Sequence, residues 1–431
     1  MEIQDFARRL AAVAVAAADP EKLVREELTR RLGQMSGARF GAILALGKAA
    51  AGLARGTRGV LSSPARRLLI RPHSSPALLD PGWEQLAGGH PLPDRQSLAA
   101  GDRAVRWLGQ LAPDQALLAL LSGGASACVE VPAPGITLED LAATQRALLA
   151  SGLPIQAVNA VRKHLSSFKG GGALRTASAG RVLALLLSDV PGDDPSTLAS
   201  GPFAADPTTF AEALAAVEGV GLPEAVRRHL EAGARGVVPE TVKPGDPALV
   251  RVETVVVGGN GTAVAAVLAE ARRNGFTAVD GPLEGEAART ARVLVARGRA
   301  LGHGENGVAL VLGGETTVTL TGGTGRGGRN GELALAAARE LAAAPPEAGA
   351  REVVLALATD GEDGPTRWAG AVVDGGTWEA VRRAGKDPRA ALERHDSYGA
   401  LSAVPGSLLE TGPTGTNVAD LAVYLRMPDA P

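Results

Sequence analysis

The sequence holds one cysteine, Cys128. A single thiol excludes an intramolecular disulfide framework and a cysteine-based zinc cluster, and is compatible with a reducing, cytoplasmic compartment. No apolar run approaches the ~20 residues of a membrane span. The formal net charge of −2 supplies no global basic field, which argues against a dedicated nucleic-acid binder. Lysine is scarce. Basic residues are nearly all arginine, so Lys22, Lys48, Lys163, Lys169, Lys243 and Lys386 stand out. No nucleic-acid or membrane partner is therefore expected, and a homodimer is compatible. Near the start, Arg8-Arg9 and the run LAAVAVAAA (Leu10–Ala18) imitate a signal peptide. Glu2 and Asp5 put acids where such a signal is basic, and alanine is a weak core for translocation, so an Ala-rich first helix is expected.

What is present reads as α/β. At 431 residues two domains are expected. Apolar runs at Gly41–Leu46, Ala116–Leu121, Arg181–Leu187, Glu253–Val257, Gly307–Leu312 and Glu352–Ala358 each end in a polar or glycine-rich turn and alternate with helical stretches. Continuous apolar runs of this kind indicate mostly parallel sheets covered on both faces. The Pro/Gly-rich segment Gly233–Pro247 marks a boundary, giving domains 1–245 and 246–431. In such sheets ligands bind beyond the carboxyl ends of the strands. Almost every unusual residue here sits at such an end.

The densest of these ends is Gly313–Glu332, GGETTVTLTGGTGRGGRNGE. Strand, glycine loop carrying Arg326, Arg329 and Asn330, then a helix: this order suits an anion. Gly323, Gly325 and Gly328 also satisfy G-x-G-x-x-G, and Gly259-Asn260-Gly261 adds a partial match, but no acid follows at the ~20-residue offset of a ribose contact. Gly47-Lys48 turns a strand into a helix without phosphate-loop spacing, and Ala49 stands where Ser or Thr would hold magnesium. SGGASA (Ser122–Ala127) offers backbone donors with the hydroxyls of Ser122 and Ser126, and lacks the spacing of a nucleophile elbow. GGHPLPD (Gly88–Asp94) is as readily an ordinary turn. VRKHLSSFKGGG (Val161–Gly172) is either a charge-neutralising cluster, through Arg162, Lys163 and Lys169, or a solvated helix face. Asp189 ends a wholly apolar strand, a geometry for a general base or a magnesium ligand, whereas Asp193 and Asp194 also fit a turn. Asp360 and Asp363 follow another apolar strand, and Asn417 lies in TGPTGTNVADL near the C-terminal end.

Taken together, LALGKAA, GGHPLPD, LLSGGASA, NAVRKHLSSFKGG, LSDVPGDDPSTLASGP, GGETTV, GRGGRNGELAL, ATDGEDGPT and TGPTGTNVADL resemble, in order, the MOFRL-type glycerate 2-kinases, historically also labelled hydroxypyruvate reductases. Gly331, Ala125 and Glu362 depart from that pattern. The resemblance implies a larger N-terminal Rossmann-like three-layer domain, a smaller C-terminal α/β domain, and a site in the cleft between them. It implies ATP- and divalent-metal-dependent phosphorylation of D-glycerate at its 2-hydroxyl, the cation being Mg2+ or another divalent ion. Phosphoryl transfer mainly needs positioning and charge neutralisation. On that basis Lys48, Arg326 and Arg329 are expected on phosphate and the glycerate carboxylate, and Asp189 on the hydroxyl proton or the metal. Glu315 and Asp360 are further metal candidates. Ser122, Gly123, Gly124, Ser126, Asn330 and Asn417 are expected to bind substrate or phosphate. An NAD(P)H-dependent hydroxypyruvate reductase is the rival reading.

Overall fold

The computed structural model describes residues 2–32, 40–61, 66–302, 306–320, 322, 325–344, 349 and 351–428. Two compact units emerge. One is Pro20–Gly258; the other joins the residues through Asp19 to Gly259–Pro431.

In the first unit β1 (Phe40–Leu46), β2 (Arg66–Pro72), β3 (Glu84–Gly88), β4 (Ala116–Ser122), β5 (Arg181–Leu187) and β6 (Val252–Gly258) form one sheet in the order β3-β2-β1-β4-β5-β6. Every pairing is parallel. This is the Rossmann order, whose direction of winding reverses between β1 and β4. Leu44, Leu46, Leu68, Ile70, Leu117, Leu121 and Leu186 pack with Trp107, Phe168 and Phe203 in its core. Both faces are covered, which is why β4 and β5 read as unbroken apolar runs. A second cluster, including Leu148, Val161, Leu165, Phe210 and Leu230, is built from the helices of residues 138–234.

The helix Arg95–Gly109 shows how local sequence sets an element. Asp94 is its N-cap: the carboxylate accepts the Ser97 N–H at 2.8 Å, and the Ser97 hydroxyl oxygen accepts the Asp94 N–H at 3.1 Å. Burial pushes the Asp94 carboxyl up, but the bonds from Ser97, His73 and Gly89 outweigh it and hold it down at about 2. A depressed folded value means that its stabilisation is present above 3.8, its ordinary value, and is lost as pH falls through about 2. Asp94→Ala is expected to cost about 1 kcal/mol in urea unfolding at neutral pH. The difference from wild type should shrink when the titration is repeated near pH 2.

The second unit's sheet runs β11-β10-β9-β12-β8-β7, with β7 (Phe276–Leu283), β8 (Gly307–Gly314), β9 (Glu352–Ala358), β10 (Gly370–Asp374), β11 (Leu408–Leu409) and β12 (Asp420–Arg426). Here the parallel expectation fails. Only β7 and β8 pair in parallel; β12 lies antiparallel between β8 and β9. Burial on both faces produces a continuous apolar run whichever way a strand points, and all of β12 is buried. Its first residue, Asp420, stands opposite Gly314 and Ala358, between the carboxyl ends of β8 and β9.

The N-terminal segment is the helix Ile3–Ala17, with Phe6 stacked on Phe276 at 5.0 Å between ring centres. Gln4 and Asp374 are joined by a hydrogen bond of 2.5 Å. This helix therefore belongs with the C-terminal unit, and β6 with the first sheet. The division expected at 245/246 is displaced on both counts, because a linker-like composition does not reveal which sheet the next strand joins. Among the described residues no helix is long and apolar enough to cross a membrane.

Candidate active site

The reversal between β1 and β4 opens a crevice at the carboxyl ends of those strands. Gly47 follows β1 with φ +105°, and a Cβ there would lie 2.4 Å from the Ser122 carbonyl oxygen. Only glycine fits. The turn is clamped to its neighbour: the Lys48 N–H donates to the Gly123 carbonyl at 2.8 Å, and the Ala49 N–H to the Ser122 Oγ at 3.0 Å. Ser122 in turn donates to the Leu46 carbonyl at 3.2 Å and is fully buried. Its hydroxyl ties the two strand ends together, so the expected contact with substrate is not available to it.

Gly123 and Gly124 stand past the end of β4. A Cβ on Gly123 would fall 1.7 Å from Asp189 Oδ2, so the carboxylate lies directly against the glycine. At Gly124 the nearest neighbours of such a Cβ are Lys48 Cγ at 3.0 Å, His90 Cδ2 at 3.4 Å and Pro72 Cγ at 3.5 Å. Lys48, Gly123, Gly124 and Asp189 are thus brought together, with His90 as an addition from the GGHPLPD loop. Ser126 follows in the short helix Ala125–Cys128 and shares a 2.8 Å hydrogen bond with the Ser200 hydroxyl. Asp194 is a turn residue, accepting from Ser196 N–H at 2.9 Å, Ser196 Oγ at 2.7 Å and Thr197 Oγ1 at 3.0 Å.

In the C-terminal unit the glycine loop behaves differently from expectation. Gly323 lies outside the described residues. The helix Arg329–Ala342 does follow the loop, but Asp363 sits at its N-terminus, accepting from Asn330 N–H at 3.0 Å and Gly331 N–H at 2.7 Å. The protein's own carboxylate takes the place foreseen for an outside anion. Burial pushes Asp363 up, while these two N–H groups and Arg329 pull it down. Asn330 is buried; its Nδ2 also reaches Asp363 at 3.4 Å, while its Oδ1 has no hydrogen-bond partner among the described residues.

Arg329 is likewise taken up internally. It grips Asp420 through Nε and Nη2, and Glu315 through Nη1 at 3.2 Å and Nη2 at 2.9 Å. Desolvation pushes the Asp420 carboxyl up to about 7 against the pull of Arg329. Desolvation also acts to lower Arg329, but Asp420, Glu315 and Asp363 reverse this and raise it, so the guanidinium keeps its charge. Glu315 is a partner of Arg329 first. Asp360 accepts the Glu362 N–H at 3.1 Å in a tight turn. Asn417 is buried and turns its Oδ1 toward the Ala419 N–H at 3.4 Å. Asn260 donates to the carbonyls of Val418 at 2.8 Å and Asp420 at 3.0 Å, which accounts for the partial glycine motif around it. Arg326 alone of the expected cations here is exposed, with its guanidinium 5.0 Å from the centre of the Tyr398 ring. Its backbone is pinned by Asp396 Oδ1 and the Tyr398 N–H, each at 3.0 Å.

The expected metal set of Asp189, Glu315 and Asp360 divides between the two units, Asp189 lying in the first and Glu315 and Asp360 in the second. Among the described residues no three acid, histidine or cysteine side chains are grouped to hold an ion. One or two carboxylates beside substrate phosphates, the usual arrangement for Mg2+, remain compatible with Asp189 and Asp360.

Residues 6–233 match the family model of a domain of unknown function, DUF4147, and residues 308–420 match the MOFRL family. The chain is 37% identical to a glycerate 2-kinase of Pyrococcus horikoshii, over 99% of this chain and 98% of that one. The chain belongs to the MOFRL-type glycerate 2-kinase family. Within the same family it is 36% identical to a D-glycerate 2-kinase of Thermotoga maritima, with 96% and 95% of the two chains covered. A crystal structure of glycerate kinase from that organism superposes with a TM-score of 0.84 at 34% identity, over 98% of this chain and 99% of that one. The similarity to glycerate 2-kinases runs through both units. Asp420 was not singled out from the sequence, His90 was read as part of a possible turn, and Asp363 was read as a strand-end acid rather than as the partner of a helix N-terminus. Asp363 and Asp420 lie inside the quoted motifs, at a strand exit and a strand entry, which is the signal that could have found them.

Proposed function

We propose that this chain transfers the γ-phosphoryl group of ATP to the 2-hydroxyl of D-glycerate, giving 2-phosphoglycerate and ADP. The observation that carries the reading is Asp189 seated on Gly123, beside Lys48, at the switch point of a Rossmann sheet in a member of this family. Asp189 accepts the proton of the 2-hydroxyl as its oxygen forms the new P–O bond. The bond from the γ-phosphorus to the bridging oxygen breaks, and ADP leaves. Lys48 supplies a point charge to the phosphates, and Gly123 and Gly124 supply backbone at close approach. Arg326 serves as a phosphate cation of the C-terminal unit. A divalent cation arriving with the nucleotide neutralises phosphate charge when bound. The rival hydride reading loses its main support, because Asp363 occupies the helix N-terminus where a dinucleotide pyrophosphate would bind.

Purified protein with ATP, Mg2+ and D-glycerate is expected to give 2-phosphoglycerate by phosphorus NMR. NADH oxidation with hydroxypyruvate, without phosphoryl transfer, would overturn the reading. Asp189→Asn is expected to lower kcat by about 100- to 10,000-fold with an unchanged melting transition. Near-normal kcat removes Asp189 from the proton-accepting role.

A further inference from the structure

The glycines flanking Arg326 are spaced as if for a ligand, yet protein atoms stand against them. A Cβ on Gly325 would collide with the Arg394 carbonyl oxygen and Asp396 Cβ, and one on Gly327 with Ser397 Oγ. The segment Arg394–Tyr398 is thus pressed along the loop on both sides of Arg326. It is bonded there as well. The Gly325 N–H donates to the Arg394 carbonyl, the Arg326 N–H to Asp396 Oδ1, and the Tyr398 N–H to the Arg326 carbonyl, each at 3.0 Å. The Arg326 guanidinium lies over the Tyr398 ring. Backbone and side chain of Arg326 therefore take their places from one short segment.

His395 is the unexpected residue of that segment. It follows the helix Pro388–Glu393 and its cap Arg394, where the His395 N–H donates to the Leu392 carbonyl at 3.1 Å and the Asp396 N–H to the Ala391 carbonyl at 2.8 Å. This is a Schellman ending, whose left-handed position usually holds glycine. Here histidine adopts φ +55°, a conformation that its Cβ disfavours. The ring supplies the reason. Its Nδ1 lies 2.9 Å from Glu332 Oε2, and Nε2 is buried with no partner among the described residues, so the neutral ring keeps its hydrogen on Nδ1 and donates to the carboxylate. Glu332 is buried in the first turn of the helix Arg329–Ala342, and its N–H bonds to the Gly328 carbonyl at 2.9 Å. The pair thus ties the segment to the helix that the Arg326 loop enters. Ser397 Oγ is a further buried group without a partner among the described residues. A strained residue and two unsatisfied groups within three positions mark a geometry kept at the expense of stability, the usual sign of preorganisation.

We propose that His395 and Glu332 are positioning residues for Arg326, fixing the segment that aims its guanidinium at the nucleotide phosphates. Neither side chain touches the ligand; both act through Arg326. A guanidinium held in advance loses less freedom when the phosphate arrives, so the same charge binds more tightly. This rests on the reading of Arg326 as a phosphate cation, and the binding can be measured without turnover.

Calorimetric titration of the full chain with Mg2+ and the β,γ-imido analogue of ATP tests it, with adenosine as the probe that lacks phosphates. Arg326→Ala should bind the analogue about 10- to 100-fold more weakly, the range expected for lost charge-assisted bonds. His395→Asn keeps a residue tolerant of positive φ but removes the ring, and Glu332→Ala removes its acceptor. Each should bind the analogue several-fold more weakly, and His395→Asn carries the comparison if Glu332→Ala fails to fold. Glu332→Gln still offers a carbonyl oxygen to Nδ1 and should recover most of the loss. Added to Arg326→Ala, neither change should weaken binding further, because both act through that one guanidinium. Adenosine should bind every variant alike. Losses that multiply with that of Arg326→Ala overturn the assignment, as does wild-type affinity in His395→Asn and Glu332→Ala. Adenosine affinity falling in parallel also overturns it, since a merely structural role would weaken both probes. Any of these results, with phosphoryl transfer by wild type intact, leaves the kinase reading standing. Wild-type affinity in Arg326→Ala would instead overturn the phosphate role of Arg326 and the pair's role with it.

Discussion

Gly123→Ala is expected to lower kcat by at least about 100-fold, the loss that follows when a reacting group is misplaced by about 1 Å. The added methyl carbon would stand 1.7 Å from Asp189 Oδ2, 2.4 Å from its Cγ and 2.7 Å from Oδ1. No other atoms are as near, so the carboxylate must move. Gly123 is outside the left-handed glycines of the chain, so alanine adds no backbone strain of its own. Stability should therefore change little while catalysis fails. Because both changes disable one group, the double variant Gly123→Ala/Asp189→Asn should be no slower than the worse single variant. Multiplicative losses in steady-state kinetics would show that Gly123 acts through something other than Asp189.

Arg329→Ala is expected to act on the fold. It leaves Asp420, 2% exposed, without its bidentate partner at the entry to the central strand β12. Removing one member of a buried pair costs about 3–5 kcal/mol. Since the Arg329 side chain is 36% exposed, the low end of about 3 kcal/mol is expected. Urea unfolding of wild type, Arg329→Ala and Arg329→Lys reads this directly, with lysine recovering part of the loss but not the fork geometry. A stable Arg329→Ala protein with a raised KM for ATP would return Arg329 to the ligand-binding role first expected of it.

The residues legible in the sequence share one property. Lys48, Gly123, Gly124 and Asp189 lie immediately beyond apolar strands of a parallel sheet, where position alone predicts convergence. The illegible ones depend on partners far away in the chain. Arg329 reads as a cation for a ligand until Asp420, 91 residues on, is placed against it. The anion site at Asn330 reads as open until Asp363, 33 residues on, fills it. Ser122 is ambiguous for a nearer reason: a hydroxyl beside glycines suits a ligand and a neighbouring strand end equally, and its burial decides for the latter. The α/β class was legible from apolar runs. The antiparallel placement of β12 was not, since burial on two faces hides strand direction.

That placement orders the assembly of the chain in time. β8 and β9 are not hydrogen-bonded to each other; β12 fills the position between them. Until the ribosome has delivered Asp420–Arg426, the strands of the second sheet can pair only in two separate parts, β7 with β8, and β9 with β10 and β11. The helix Ile3–Ala17 is made first, yet its partners in the same unit come only after Gly259. Pro20–Gly258 is continuous and can fold as it emerges. At about 5–20 residues per second, the opening helix waits on the order of 20–80 s for the strand that completes its sheet.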